Sequence, residues 1–269
     1  RRQRQMCIRD RLDRFPREDA EAWDHVGLSV GDPNAKVEGV VCALDATVDA
    51  IFRTAELGAN VLLTHHPVYI SAPDCFAPAS SVRPSSSAAV YEAARHGVSV
   101  ISLHTNLDRS KEARETLPAL MDLSAFSSLE HVTQPDMPGL GAVCDIACTS
   151  LGDFASAAQC AFDTSAHVWG DAASSVCRVA FMGGSLGDYG EQALACNCDV
   201  VVTGELGYHR AQDLALRGLS VVLLGHDRSE QPFCRILADA TANAGVAQDR
   251  IDIIPLPHQW WVPTQGGCA

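Results

Sequence analysis

The 269-residue chain predicts an α/β fold made of two similar lobes. Short apolar runs alternate with stretches of helical spacing, the order that builds parallel sheets. That order repeats in the second half. Four of the apolar runs also stop abruptly at His, Asp or Glu. In open α/β sheets chemistry collects just past the carboxyl ends of the strands, so these stops mark the candidate site.

The elements follow in order. Gly39 to Leu44 reads as a strand, and Thr47 to Leu57 has helical spacing with Gly58 as its stop. Val61 to Thr64 is the next strand and runs into His65-His66-Pro67. Residues 71–89, rich in Ser, Pro and Ala, read as a surface loop. A short helix around Ala88–Arg95 leads into the run Val98 to Leu103, which meets His104-Thr105-Asn106-Leu107-Asp108. In the second half Arg178 to Met182 is a strand ending in Gly183-Gly184-Ser185. A helix near Tyr189–Ala195 precedes the strand at Asp199, which ends at Thr203-Gly204-Glu205. A helix near Ala211–Leu216 precedes the strand at Leu219, which meets His226 and Glu230.

An offset of 139 places Val40 on Val179, Val61 on Val200 and Thr64 on Thr203 without a gap. His65-His66 then falls on Gly204-Glu205. Past a shorter loop the offset becomes 122, where His104 meets His226 and Asp108 meets Glu230. Two lobes facing each other about a pseudo-twofold follow, with their strand ends meeting in a central cleft. The first lobe is placed at 1–128, rejoined by 232–269, and the second at 129–231.

A chain that is 47% hydrophobic and 20% charged can bury a substantial core. Its net charge of −13 argues against a nucleic-acid binder, which shows a basic face, and suits divalent cations. The basic opening Arg1-Arg2-Gln3-Arg4 reads as a solvated segment. The 11 cysteines, without a C-x-x-C pair, read as reduced and mostly buried thiols of a cytoplasmic protein. Cys196-x-Cys198 reads as small core-facing residues. No apolar run approaches the ~20 residues of a membrane span. No signal peptide is visible, because the opening residues lack an apolar stretch. The first residue is not Met, which leaves the natural start open.

Neighbours on a regular strand point to opposite faces. His65 and His66 therefore share one cleft only if the strand has ended, as Pro67 suggests. Two imidazoles on a stiff turn suit zinc, iron, manganese or nickel. His226 and Glu230, four apart, share one side of a helical turn, and Asp108 offers a carboxylate from the other lobe. This set is small for two separate cages but suffices for two divalent ions about 3.5–4 Å apart that share a bridging oxygen. Glu205 and His209 read as a general acid/base pair, as groups orienting the ligands, or as a helix-cap Glu with a surface His. Asp45 orients a ligand imidazole or caps the next helix. His104 sits one position inside its strand end and is read as supporting the ligands from behind. Gly183-Gly184-Ser185 has the look of a phosphate-cradling turn but lacks the spacing of one. His25, His96, His131, His167 and His258 have no comparable setting.

These stretches together resemble the Nif-three-like dinuclear metal centre hexameric family, whose members are often labelled type 2 GTP cyclohydrolase I homologues. The matching segments are Trp23-Asp24-His25-Val26-Gly27-Leu28 with Gly31-Asp32, Leu44-Asp45-Ala46-Thr47, Thr64-His65-His66-Pro67, His104-Thr105-Asn106-Leu107-Asp108, Thr203-Gly204-Glu205 with His209, and Gly225-His226 with Glu230. The resemblance implies two similar α/β lobes and a toroidal homohexamer with its metal sites on an internal cavity. It places the metal ligands on His65, His66, Asp108, His226 and Glu230, with Glu230 as the bridge. It implies a metal-dependent hydrolase acting on a small-molecule substrate, which the label makes GTP, by hydrolytic opening of the guanine ring. A metal-dependent phosphoesterase and a non-catalytic ring-shaped metal-binding scaffold are the alternatives. The chain is too short for the extra middle domain that some relatives carry. It departs from the family at Arg109-Ser110-Lys111-Glu112-Ala113-Arg114, where relatives usually have a Gly-Val-Asn-type turn. It departs again in the Ser- and Pro-rich segment after His66-Pro67, and at His25, where relatives often have Asn.

Overall fold

The computed structural model describes residues 14–256 and 259–261; the basic opening segment and His258 lie outside the described residues. Two five-stranded sheets carry the architecture. The first holds β1 (Gly27–Val30), β2 (Val40–Ala43), β3 (Val61–Thr64), β4 (Ser99–Ser102) and β10 (Ile251–Ile253), in the order β1-β4-β3-β2-β10. The second holds β5 (Ala142–Ser150), β6 (His167–Trp169), β7 (Ser175–Ser185), β8 (Val200–Glu205) and β9 (Ser220–Leu223), in the order β5-β7-β8-β9-β6. Each sheet has a parallel centre and an antiparallel strand at its edge.

Central parallel strands are buried on both faces, so they read as continuous apolar runs rather than alternating ones. All four residues of β2, β3 and β4 are buried. Alternate residues serve different layers. Val41, Ala43 and Leu62 pack under α1 (Val48–Glu56) and α2 (Ser85–His96). Val40, Cys42 and Leu63 face inward, into a cluster that continues through Leu117, Phe233 and Leu237 to Val179, Val200 and Val222 of the second sheet. One core therefore joins both sheets, with α4 (Lys111–Ala119), α5 (Leu151–Ala161) and α9 (Phe233–Asn243) between them. On the far face of the second sheet, α6 (Gly190–Ala195) and α7 (Tyr208–Leu216) contribute Ala193 and Leu214 to a third cluster.

The strand registers carry the internal repeat. Val40 pairs with Val61, and Val179 pairs with Val200, at the offset of 139. The third strands match at 121 rather than 122: Val61 pairs with Ser99, and Val200 with Ser220. The position equivalent to His104 is thus Gly225, not His226. Each is the residue just before a short helix, α3 (Thr105–Asp108) and α8 (His226–Glu230). The two His-x-x-x-acid motifs share a spacing but sit one residue out of step.

Local chemistry explains the element ends. Thr47 caps α1 by accepting from the Ala50 amide. The predicted loop 71–89 ends earlier, because α2 begins at Ser85 behind Pro84. Buried Ser87 there donates to the Cys75 carbonyl and accepts from the Ala77 amide, pinning the loop to the helix. The expectation of reduced thiols throughout is corrected at one place. Cys148 and Cys177 form a disulfide across β5 and β7, where the antiparallel ladder sets them opposite each other. A separation of 29 residues hides that pairing in the sequence. Cys144, Cys198 and Cys234 are buried, as expected.

Candidate metal centre

Strand β3 ends at Thr64, and the chain turns there. The Thr64 hydroxyl donates to the His66 carbonyl at 2.7 Å, while the amides of His65 and His66 bond back to Ala43 and Leu44. Both imidazoles thereby reach one place, with ring centroids 5.2 Å apart. His65 is fully buried against Phe233. Its Nδ1 donates to the Leu103 carbonyl at 3.0 Å, so Nε2 carries the lone pair. His66 Nδ1 lies 2.8 Å from Asp45 Oδ1, and its Nε2 2.8 Å from Glu230 Oε2.

The second lobe approaches through α8. His226 and Glu230, one turn apart, place Nε2 and Oε2 3.0 Å from each other. His226 Nδ1 is held by Glu205 Oε1 at 3.2 Å. The other Glu230 oxygen, Oε1, lies 3.6 Å from His65 Nε2, and Asp108 Oδ1 lies 3.4 Å from that same nitrogen. One buried carboxylate thus faces three imidazoles supplied by both lobes. Groups of His65, His66 and His104, and of His66, His226 and Glu230, bring ligand atoms within 4.8 Å of one another.

Glycines let α8 come this close. A Cβ on Gly204 would sit 2.6 Å from the Gly184 carbonyl and 2.8 Å from His226 Cα. Gly184, at φ +59°, leaves the space that the Glu230 carboxylate fills. The Gly184 amide donates to Ser229 Oγ at 2.9 Å, and the Leu186 amide to the Glu205 carbonyl. The Gly183-Gly184-Ser185 turn therefore packs a helix, and these amides are not free to cradle a phosphate.

The electrostatics ask for positive charge. Burial opposes a charged His66, but hydrogen bonds to Asp45 and Glu230 outweigh it and push the imidazole up to about 10. The Glu230 hydrogen bond likewise pushes His226 up to about 9. Burial works against the Glu230 anion, yet its contacts with His226, His65 and His66 hold it well below the usual carboxylate range. Asp108, further from compensation, is pushed up by burial to about 7. His65 Nε2 and Asp108 Oδ1 are both buried without a hydrogen-bond partner, and they face each other. A buried lone pair opposite a buried carboxylate oxygen is costly unless something positive sits between them. A divalent cation fits that place, and the mixed imidazole and carboxylate donors suit a first-row ion.

His104 lies closer to the cluster than its sequence position suggested. It stands beyond β4, with its ring 5.3 Å from His65 and 5.7 Å from His66. Its Nδ1 is held at 2.9 Å by Asp24 Oδ1, which leaves Nε2 free. The fully covered Asp24 side chain also accepts from the Thr105 amide and hydroxyl. Sequence reasoning named no role for Asp24, although it sits in the quoted Trp23-Asp24-His25 motif. His209, by contrast, is exposed on α7, with its ring against Tyr208.

Two sheets whose strand ends converge on a His/Asp/Glu cluster define a two-lobed α/β protein with His/Glu groups that could hold a metal ion. The chain belongs to the Duf34/NIF3 (NGG1p interacting factor 3) family, whose profile matches residues 8–257. It is 29% identical over 256 residues to a Streptomyces coelicolor protein named GTP cyclohydrolase 1 type 2 homolog, covering 91% of this chain and 84% of that one. A Lactococcus lactis protein of the same name is 29% identical over 234 residues, covering 83% of this chain and 85% of its own. Among solved structures, a Staphylococcus aureus hypothetical protein shares the fold at a TM-score of 0.86 and 23% identity, covering 96% and 99% of the two chains. A Bacillus cereus protein related to NIF3 does so at 0.83 and 19%, covering 96% and 98%. Among the described residues no helix is long and apolar enough to cross a membrane.

Proposed function

We propose that the protein is a metal-dependent hydrolase whose two divalent cations are held by His65, His66, Asp108, His226 and Glu230. The observation that supports it is the Glu230 carboxylate. Its Oε1 faces His65 and its Oε2 faces His66 and His226, so one residue spans two ligand positions. Bound there, divalent cations would supply Lewis acidity and a water acidic enough to ionise near neutral pH.

The chain's own residues do the rest. The Leu103 carbonyl, Asp45 and Glu205 hold the Nδ1 atoms of His65, His66 and His226, which presents every Nε2 inward. Glu205 acts here as a positioning residue for His226. We assign proton transfer to His104, because Asp24 fixes its Nδ1 and the residue belongs both to the cluster and to the lining of an adjoining cavity. His209 then carries no step. The names of the relatives make the guanine ring of GTP the first substrate to test. The toroidal homohexamer implied by the family resemblance and the cytoplasmic location read from the cysteines belong to the same proposal.

Elemental analysis of purified variants tests the ligand set. His65→Ala and Glu230→Ala should each lose most of the bound metal, whereas His167→Ala on the exposed β6 should keep it. Equal metal per chain in all three would end the assignment. Chelation then separates enzyme from scaffold: a scaffold melts earlier and turns over neither GTP nor phosphoesters, with or without metal.

A further inference from the structure

A cavity of about 460 Å³ adjoins the cluster, and His104, Asp108, His226 and Glu230 form the wall they share. Much of the remaining lining is apolar, with Leu117, Leu140, Met182 and Leu186 all buried. Outside the shared wall the lining holds two charged side chains, Glu21 and Arg114. Their situations differ. Glu21 Oε1 accepts from Arg109 at 2.6 Å, so its charge is met. Arg114 Nη1 donates at 2.6 Å to the Pro135 carbonyl, which is neutral.

Among the described residues no carboxylate pairs with Arg114, and its Nε–Nη2 edge carries no hydrogen bond. A guanidinium has five N–H donors, so one bond to a carbonyl holds the side chain in place without spending its charge. The neighbouring arginines show the contrast: Arg14 pairs with Glu112, and Arg109 with Glu21 and Glu130. In a chain of net charge −13 carboxylate partners are plentiful, yet Arg114 has none. A free fork anchored by its other nitrogen matches two oxygens of a phosphate. Arg114 also lines a neighbouring groove of about 290 Å³, where Lys111 stands as well. A ligand held at Arg114 can therefore continue past it, out of the cavity.

We propose that Arg114 determines specificity at this site: it receives the phosphate of a substrate whose ring lies in the cavity and whose reacting group faces the shared wall. The place of the reacting group rests on the metal-hydrolase reading; phosphate recognition by Arg114 is measured independently of it. The substrate is then a nucleotide rather than a nucleoside or a free base, because only the nucleotide brings the anion that this guanidinium lacks.

Equilibrium dialysis in the cold, on the protein as purified with its metal, against guanosine, GMP and GTP tests this. GMP and GTP should each bind about tenfold or more tightly than guanosine. Arg114→Gln should erase that preference while guanosine binding and bound metal stay as they were. Arg114→Lys should recover part of it, since an ammonium keeps the charge but lacks the fork. Several results would overturn the proposal: equal binding of guanosine and the nucleotides, no binding of any of the three, a preference that survives Arg114→Gln, no recovery in Arg114→Lys, or loss of guanosine binding or metal in the glutamine variant. The two readings fail separately. A phosphate preference carried by Arg114, with GTP left chemically intact after incubation, would remove GTP as the substrate and keep the phosphate site. Turnover of GTP with an unchanged KM in Arg114→Gln would keep the hydrolase and remove Arg114 from its specificity.

Discussion

The carboxyl ends of β3 and β8 hold the same place in their sheets, yet one carries two imidazoles and the other a glycine and a glutamate. Position for position, His65 answers to Gly204 and His66 to Glu205. His65 fills its side of the cleft with a buried ring. Gly204 empties its side, and α8 moves into the space with His226 and Glu230. Glu205 then holds His226 as Asp45 holds His66. A repeated scaffold does not give a repeated site. It gives two matching platforms, and the side chains at their ends divide the work between filling a space and leaving one.

The largest break in this complementarity should come from Gly204→Val. The added side chain would meet Gly184 and His226 backbone atoms that cannot swing aside. Urea denaturation should show a loss of about 3 kcal/mol, and metal retention should fall with it. A variant of native stability would mean that α8 does not depend on this gap.

The next comparison sets His104, which has a carboxylate behind it, against Gly225, which has none. Burial opposes ionisation of Asp24, but His104 and Thr105 outweigh it and bring the carboxyl from 3.8 down to about 2. A depressed acid adds stability that is complete above its unfolded value and disappears as pH falls through the folded one. The window is therefore pH 4 to 2, with about 2 kcal/mol at stake. Asp24→Asn should flatten that limb of the stability curve while changing little near Glu205.

The smallest effects should separate the two orienting carboxylates. Asp45→Asn should weaken metal binding about tenfold to a hundredfold. Glu205→Gln should cost only a few-fold, because its side chain is 59% exposed and water can replace it. Equilibrium competition with a chromogenic chelator ranks the two, and the reverse order would place the critical support in the second lobe.

Much of this site was legible because its residues follow directly on apolar strands. The strand-end reading proposed His65, His66, Asp108, His226 and Glu230 as ligands, and the fold brings their side chains near one another. Glu205 was named as an acid/base or orienting group, and the fold ties it to His226. His209 shares its spacing, but its helix turns it outward. The register of the third strands was misjudged by one residue, because a spacing match cannot distinguish an equivalent strand from a turn lengthened by Gly225. Cys148–Cys177 was missed for a similar reason, since opposition across an antiparallel ladder depends on a register that local sequence does not carry.

The chain by itself determined its elements, their alternation, the internal repeat and which His and carboxylate groups stand past the strand ends. Each follows from short-range chemistry: apolar runs that must be buried, caps and glycines that end helices, and His and carboxylate groups stranded at the ends. Only the folded arrangement decided that Glu230 would face three rings, that Asp24 would stand behind His104, and that an apolar cavity would share their wall. Those outcomes depend on separations of a few ångströms between segments far apart in sequence, and such distances are fixed by the packing of two sheets around a common core.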